Sequence, residues 1–335
     1  MEGVVVDKFG GSVLRRPEDI AAAVSAVAEQ RGIGLRPVVV VSAFEGVTDA
    51  ILGSAAVLLP DEGAALRQPG HDSDSTFARE ADRALATGEA LSAALFALGL
   101  QARGIAARSF SGAEAGIRTA AAHLGAEVRR VLPRRLRAAL AEDLVPVVAG
   151  FQGIGSHGEL TTLGRGGTDL SAVVLAVALG AERCELFKDV GGVMEADPQL
   201  VAGARLLDTV DALQLELLAE LGAEVVHPVA VRRARRARLA LEVRSLDPRG
   251  ARTSVRARRR RGEAAEGVLM LAVDRKERIA RVSLVGPAGR VPELLPIPAH
   301  AAGSFDEAGF RAAWSEVPVE QAARAAQAVH AALMA

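Results

Sequence analysis

The chain has 335 residues, half of them hydrophobic, enough to bury one large core or two smaller ones, which excludes disorder as the default. Forty basic residues against forty-one acidic ones leave a net charge of -1, so no global field draws it onto nucleic acid or an anionic membrane, and small molecules are its expected partners. The single cysteine, Cys184, excludes an internal disulfide and reads as buried packing in a reducing, cytoplasmic compartment.

In chain order, the first half alternates short apolar runs with helical patterns, the signature of βα units and a largely parallel sheet. Residues 4–8 predict a buried strand. Met1 leads into it with no basic n-region or cleavage site, so no signal peptide is expected, and no apolar stretch reaches the length of a membrane span. Pro17 opens a helix to about Gln30, with Glu18 and Asp19 at its positive dipole end. A strand follows over 37–42 and a helix over 47–59. The run 60–75, rich in Pro, Gly, Asp and Ser, reads as a surface loop or lid. Two helices, 76–86 and 89–98, are predicted on either side of Thr87 and Gly88. Next come a strand over 105–108, a helix over 126–141 and a buried strand over 145–149. The glycine-rich stretch 150–163 suggests a hairpin.

Thr168 starts an apolar helix to about Leu179, with Asp169 in its first turn. A strand over 185–187, a helix over 208–221 and a closing strand over 240–244 complete this region. Residues 256–261 then hold five arginines in six positions, and 262–267 are small and acidic, a composition that suits a solvated linker. Beyond it, 268–273 and 280–285 read as strands, and Pro318 opens a helix to Leu333. This tail is a small α+β module near the lower limit of independent stability.

Three clusters carry chemistry. Lys8, Phe9, Gly10, Gly11 and Ser12 lie between a strand and a helix, where backbone amides freed by glycine approach phosphate oxygens; by themselves these residues read equally well as a tight βα turn. Thr161, Thr162, Leu163, Gly164, Arg165, Gly166, Gly167, Thr168 and Asp169 are less ordinary, because three glycines around an arginine lead into a helix N-terminus. That segment can hold anions while Arg165 clamps a carboxylate through two parallel hydrogen bonds. The third, Lys188 to Pro198 with Asp189, Gly191, Gly192 and Asp197, sits at the C-terminal end of a strand, where open α/β sheets place nucleotides; taken alone it reads as a surface turn. Only Lys8, Lys188 and Lys276 are lysines, so two of three fall inside these clusters, which suggests that a compact ammonium is needed there.

Together with Val41, Ser42, Ala43, Gly88, Glu89, Gly222, Ala223, His227 and Pro228, these clusters stand in the order and spacing of aspartate kinases over about residues 3–255, and the chain resembles that branch of the amino-acid kinases. The resemblance implies an α/β amino-acid kinase fold, with a mostly parallel central sheet in an αβα sandwich followed by a small α+β ACT-like remnant. It implies a catalytic domain over 1–255 (about 1–150 the amino-acid half, about 151–255 the nucleotide half), a linker over 256–267, a truncated ACT-like module over 268–335, and a homodimer. The activity it implies is transfer of the ATP γ-phosphoryl group to the side-chain carboxylate of aspartate, giving 4-phospho-aspartate, the first step towards lysine, threonine and methionine. A carboxylate is already ionised at neutral pH, so no general base is required and catalysis reduces to positioning and charge neutralisation.

By the same resemblance Lys8 stabilises charge on the transferring phosphoryl and Asp169 orients its ammonium. Gly10, Gly11, Ser12 and Ser42 line the phosphates, Glu89 receives the substrate amino group, Arg165 its α-carboxylate, and Thr48 and Thr168 supply hydroxyl contacts. Lys188, Asp189, Gly192 and Asp197 fall on the nucleotide side. Mg2+ rides with ATP, held by phosphates and water, with no dedicated protein metal site. The chain departs from the family at Lys188 (usually Thr), Gln199 (usually Arg) and Glu224 (usually Lys), all on the nucleotide side; Lys188 is expected either to take over the phosphate contact of the cation lost at Glu224 or to pair with Glu224, the alternative being that both side chains point to solvent. The tail has one short module, and four prolines within 287–303 deny it the usual helix, so no effector site is expected. The arginine runs 232–238 and 256–261 read as a helix face and a linker, since no aromatic platform accompanies them. Two alternatives stand beside this reading: a same-fold kinase for another amino acid or carboxylate, and a catalytically silent regulatory member. The intact set of Lys8, Glu89, Arg165 and Asp169 speaks against the second, and the nucleotide-side changes speak for it.

Overall fold

The computed structural model describes residues 2–58, 76–223, 225–247, 250–257 and 268–333. The expected lid over 60–75, most of the expected linker and Glu224 lie outside the described residues. The chain divides into two compact units, Met1–Asp189 with Arg244–Gly250, and Val190–Val243 with Ala251–Ala335.

The first unit runs β1 (Val4–Phe9), α1 (Ile20–Gly32), β2 (Arg36–Val41), α2 (Val47–Leu58), α3 (Thr76–Ala102), β3 (Ala107–Phe110), β4 (Ile117–Thr119), β5 (Val128–Val131), α4 (Arg134–Ala141), β6 (Val145–Ala149), β7 (Gln152–Ile154), β8 (Leu160–Thr162), α5 (Gly167–Leu179) and β9 (Arg183–Phe187). Its main strands lie in the order β9-β1-β2-β6-β3, all parallel. Such strands are covered on both faces, which is why β2 and β6 and the first half of β1 read as valine-rich runs rather than as alternating ones. Alternation along β1 nevertheless sorts the side chains by face. Phe9 packs with Val39, Val41, Val147 and Phe187 in the core that α1 and α3 cover, stacking on Phe187 at 4.6 Å. Asp7 shares that face and accepts from Gln30 of α1, whereas Lys8 turns to the face where α5 begins. The predicted hairpin forms as β7 and β8, in a smaller sheet of order β5-β4-β7-β8.

Two expectations in this unit are corrected. The helices placed at 76–86 and 89–98 are one helix of 27 residues. Gly88 does not break it: a Cβ there would lie 2.7 Å from the Ala43 Cβ and 3.2 Å from Val47, so glycine admits the crossing of another segment. This helix has the length and hydropathy of a membrane span, but half of its apolar window is buried in the core and its buried residues include Asp82 and Glu89. The helix expected over 126–141 begins only at Arg134, after Pro133, because Val128–Val131 pairs antiparallel with β4 instead.

The second unit contains β10 (Thr209–Asp211), α6 (Ala212–Glu220), α7 (Pro228–Ala237), β11 (Ala240–Arg244, ending at the unit boundary), β12 (Arg252–Arg256), β13 (Met270–Arg275), β14 (Ile279–Pro287), β15 (Ala301–Glu307), β16 (Phe310–Pro318) and α8 (Ala322–Leu333). The helix expected over 208–221 is preceded by a strand, and Asp211 caps it by accepting from the Leu213 amide at 2.8 Å. The tail strands form an antiparallel sheet of order β13-β14-β16-β15; its strands β15 and β16 were not foreseen, nor was β12, which pairs parallel with β10. Leu271, Val282, Leu284 and Val329 of the tail share one apolar core with Ala196, Leu200 and Val201. Gln214 of α6 donates to the carbonyls of Val268 and Val285. Compact packing divides the chain after Asp189, with Arg244–Gly250 returning to the first unit.

Candidate active site

Lys8 is the last residue but one of β1, and Lys188 follows the last residue of β9, its parallel neighbour. Both side chains therefore emerge at carboxyl ends of adjacent parallel strands, the edge at which open α/β sheets bind ligands. Between them stands Asp169, in the first turn of α5. Its Oδ1 lies 2.8 Å from the Lys8 Nζ and its Oδ2 accepts from the Lys188 Nζ at 3.3 Å. All three side chains are largely buried. Burial on its own raises the Asp169 carboxyl, but the two ammonium groups outweigh it and hold it well below the usual carboxylate range. Burial lowers Lys8, opposed by Asp169 and reinforced by Lys188. Two lysines thus share one carboxylate in a site with little water, a setting that favours an anionic partner.

The turn after β1 is shaped for the same purpose. The amides of Val13 and Leu14 both donate to the Gly10 carbonyl, at 3.0 and 2.9 Å. A Cβ at Gly10 would stand 2.7 Å from the Lys8 Nζ, so any other residue would displace the ammonium. The loop into α5 needs left-handed backbone at Gly164 (φ 75°) and Gly166 (φ 74°), on either side of Arg165. Arg165 is exposed and makes no ion pair among the described residues. Thr168, buried, packs at Gly150, where a Cβ would meet its Cγ2 at 2.5 Å.

Glu89 is buried on α3. One carboxylate oxygen accepts from the Ala43 amide at 3.0 Å, and the other, also buried, has no partner among the described residues. Burial pushes its pKa up to about 7. A half-satisfied carboxylate of this kind is suited to a cationic ligand. Ser42 follows β2 with its amide donating to Phe9, and Thr48 is half-buried in the first turn of α2. Ser12 lies in the turn after β1, and Gly11 approaches the Ala43 carbonyl so closely that a Cβ would sit 3.3 Å away. Asp189 is exposed and closes the first unit. Gly192 and Asp197 belong to the second unit, where both have local structural work: a Cβ at Gly192 would strike the Thr253 hydroxyl at 2.4 Å, and Asp197 accepts from the Gln199 amide at 2.8 Å.

Sequence reading missed a further cluster. Asp82 is fully buried on α3, seven residues before Glu89, and accepts from the Thr162 hydroxyl, from His123 at 2.7 Å and from the Leu124 amide at 3.1 Å. A spacing of seven places Asp82 and Glu89 on one helix face, the one signal that pointed to it. Cys184 is buried, and burial drives its thiol far up, so it is unreactive packing.

The amino acid kinase family profile matches residues 3–245. An aspartokinase of Geobacillus stearothermophilus is 40% identical over 243 residues, which are 72% of this chain and 56% of that one. Aspartokinase 2 of Bacillus subtilis is 36% identical over 284 residues, 85% of this chain and 65% of the relative. The chain thus spans less than two thirds of the length of these relatives. Among solved structures, E. coli aspartokinase III in complex with aspartate and ADP superposes with a TM-score of 0.80 at 21% identity, over 99% of this chain and 100% of that one. The likeness covers the four-stranded tail sheet along with the parallel core.

Proposed function

Because the chain belongs to the amino acid kinase family, we propose that it transfers the γ-phosphoryl group of ATP to the side-chain carboxylate of aspartate, forming an acyl phosphate. The observation that carries this reading is the pairing of Lys8 and Lys188 with Asp169, at the carboxyl ends of β1 and β9 and beside the Gly10 turn. Phosphoryl transfer to an ionised carboxylate demands charge neutralisation and positioning and no proton abstraction. Lys8 acts where charge builds on the transferring group, Lys188 contacts the nucleotide phosphates, and Asp169 holds both ammonium groups in place. Amides of the Gly10–Gly11–Ser12 turn and the Ser42 hydroxyl face phosphate oxygens. ATP supplies the phosphoryl group, and Mg2+ rides on its phosphates and water.

On the acceptor side, Glu89 takes the substrate ammonium with its unpartnered oxygen, Arg165 takes the α-carboxylate, and Thr48 and Thr168 supply hydroxyls. The identity of the relatives supports aspartate as the acceptor. The catalytic domain is 1–255, and the tail serves as structural packing rather than as an effector module. The test is hydroxylamine trapping of the acyl phosphate with ATP, Mg2+ and a panel of amino acids. Aspartyl hydroxamate is the expected product. Signal with another acid alone transfers the reading to that substrate, and ATP binding without any hydroxamate assigns the chain to the silent class.

A further inference from the structure

The Asp82 cluster joins three segments that are distant in sequence. Asp82 belongs to α3, Thr162 ends β8, and His123 and Leu124 belong to the connection between β4 and β5. The backbone repeats the tie, since the amides of Gly125 and Ala126 donate to the Thr162 carbonyl at 3.1 and 2.8 Å. Leu124 holds the left-handed backbone at φ 55°, which a leucine adopts only when its surroundings impose it. Behind this knot the chain passes through Leu163 to Gly164, which lies so near Gly125 that a Cβ would stand 3.3 Å from the Gly125 Cα. Arg165 comes next. A buried carboxylate costs several kcal/mol unless it is well satisfied, and Asp82 is satisfied by three donors, all from the segments that hold the Arg165 loop.

Two turns further along α3 stands Glu89, on the same buried face. One rigid helix therefore carries Glu89 directly and holds Arg165 through Asp82, and a second link, from Gln152 of β7 to the Ala86 carbonyl at 3.1 Å, joins the same stretch of α3 to the hairpin. Resting on the substrate reading above, we propose that Asp82, with His123 and Thr162, is a positioning element that fixes the distance between Arg165 and Glu89. That distance restricts the site to acids carrying an ammonium and a carboxylate on one carbon.

The proposal separates from a merely structural role by what moves. In full-length chain, Asp82→Asn and His123→Ala raise the KM for aspartate about ten-fold or more, while kcat and the KM for ATP stay within about three-fold. His123→Asn, whose amide nitrogen replaces the Nδ1 donor, restores the KM to within about three-fold of the parent. Thr162→Val, nearly isosteric, is the mild variant that keeps the test open if the others fold poorly, and it raises the same KM. Added to Arg165→Ala, His123→Ala has no further effect, a non-additive pair. Equal losses for aspartate and ATP, or additivity with Arg165→Ala, overturn the proposal. Should the parent phosphorylate a different amino acid, the aspartate reading falls and the same KM comparison with that acid still decides the positioning role; a parent that binds no amino acid by calorimetry overturns both.

Discussion

Among the buried carboxylates that pair with two basic side chains in the described residues, Glu216 and Asp169 differ in how their charge is balanced. In the second unit, Glu216 of α6 accepts from Arg232 at 2.6 Å and from Arg235 at 2.8 Å, and Arg232 also reaches Glu220. Two guanidinium groups meet two carboxylates, and both arginines are about a third exposed, so water screens what is left. In the first unit Asp169 holds Lys8 and Lys188, whose side chains are 7% and 16% exposed, and none of the ion pairs described there adds a second carboxylate. The first arrangement pairs two cations with two carboxylates in partly exposed surroundings, whereas the second gathers two ammonium groups on one carboxylate under burial. A count of ion pairs does not separate these arrangements; burial of the cations and their position at the strand ends do.

The comparison breaks or sharpens under mutation. The largest effect is expected from Lys8→Met, which lowers kcat about a thousand-fold or more while leaving ATP binding within a few-fold, since its ammonium acts most strongly in the transition state. Lys188→Thr weakens ATP binding about ten-fold, measured by calorimetry. An unchanged kcat in the first, or unchanged ATP affinity in the second, removes that lysine from the mechanism.

An intermediate effect is expected at Glu89. Its carboxyl is raised to about 7 by burial, so it is largely protonated at pH 6 and ionised at pH 8. Only the ionised form attracts the substrate ammonium, so apparent aspartate affinity rises as pH increases through 7, and binding below that pH releases a proton. The stability of the unliganded chain runs the other way, falling between the ordinary carboxyl value and about 7, because the folded state keeps a proton that the unfolded state has lost. Glu89→Gln removes both slopes. A pH-independent KM in the parent would exclude Glu89 from the ammonium contact.

The smallest effect belongs to the Glu216 cluster. Arg232→Ala leaves Glu216 paired with Arg235 and changes stability by about 1 kcal/mol or less, with kcat and both KM values unaltered. A kinetic loss comparable with that of Lys188→Thr would erase the distinction between the two clusters.

Local sequence determined the elements whose chemistry is contained in a few adjacent residues. The valine runs specify doubly covered strands, the Lys8–Ser12 turn needs its glycines for close approach, and the loop around Arg165 needs Gly164 and Gly166 for left-handed backbone. These constraints act within a few bonds, so they are legible without a fold. Tertiary structure alone decided the rest. Whether Gly88 breaks a helix or admits Ala43 depends on a segment some forty-five residues earlier. Asp82, His123 and Thr162 carry no shared motif, because hydrogen bonds across three segments impose no spacing on the chain. Lys188 stands out in the sequence as a rare lysine inside a cluster, but only the pairing of β9 with β1 brings its ammonium to Asp169, where the low dielectric of a buried site couples two lysines distant in sequence.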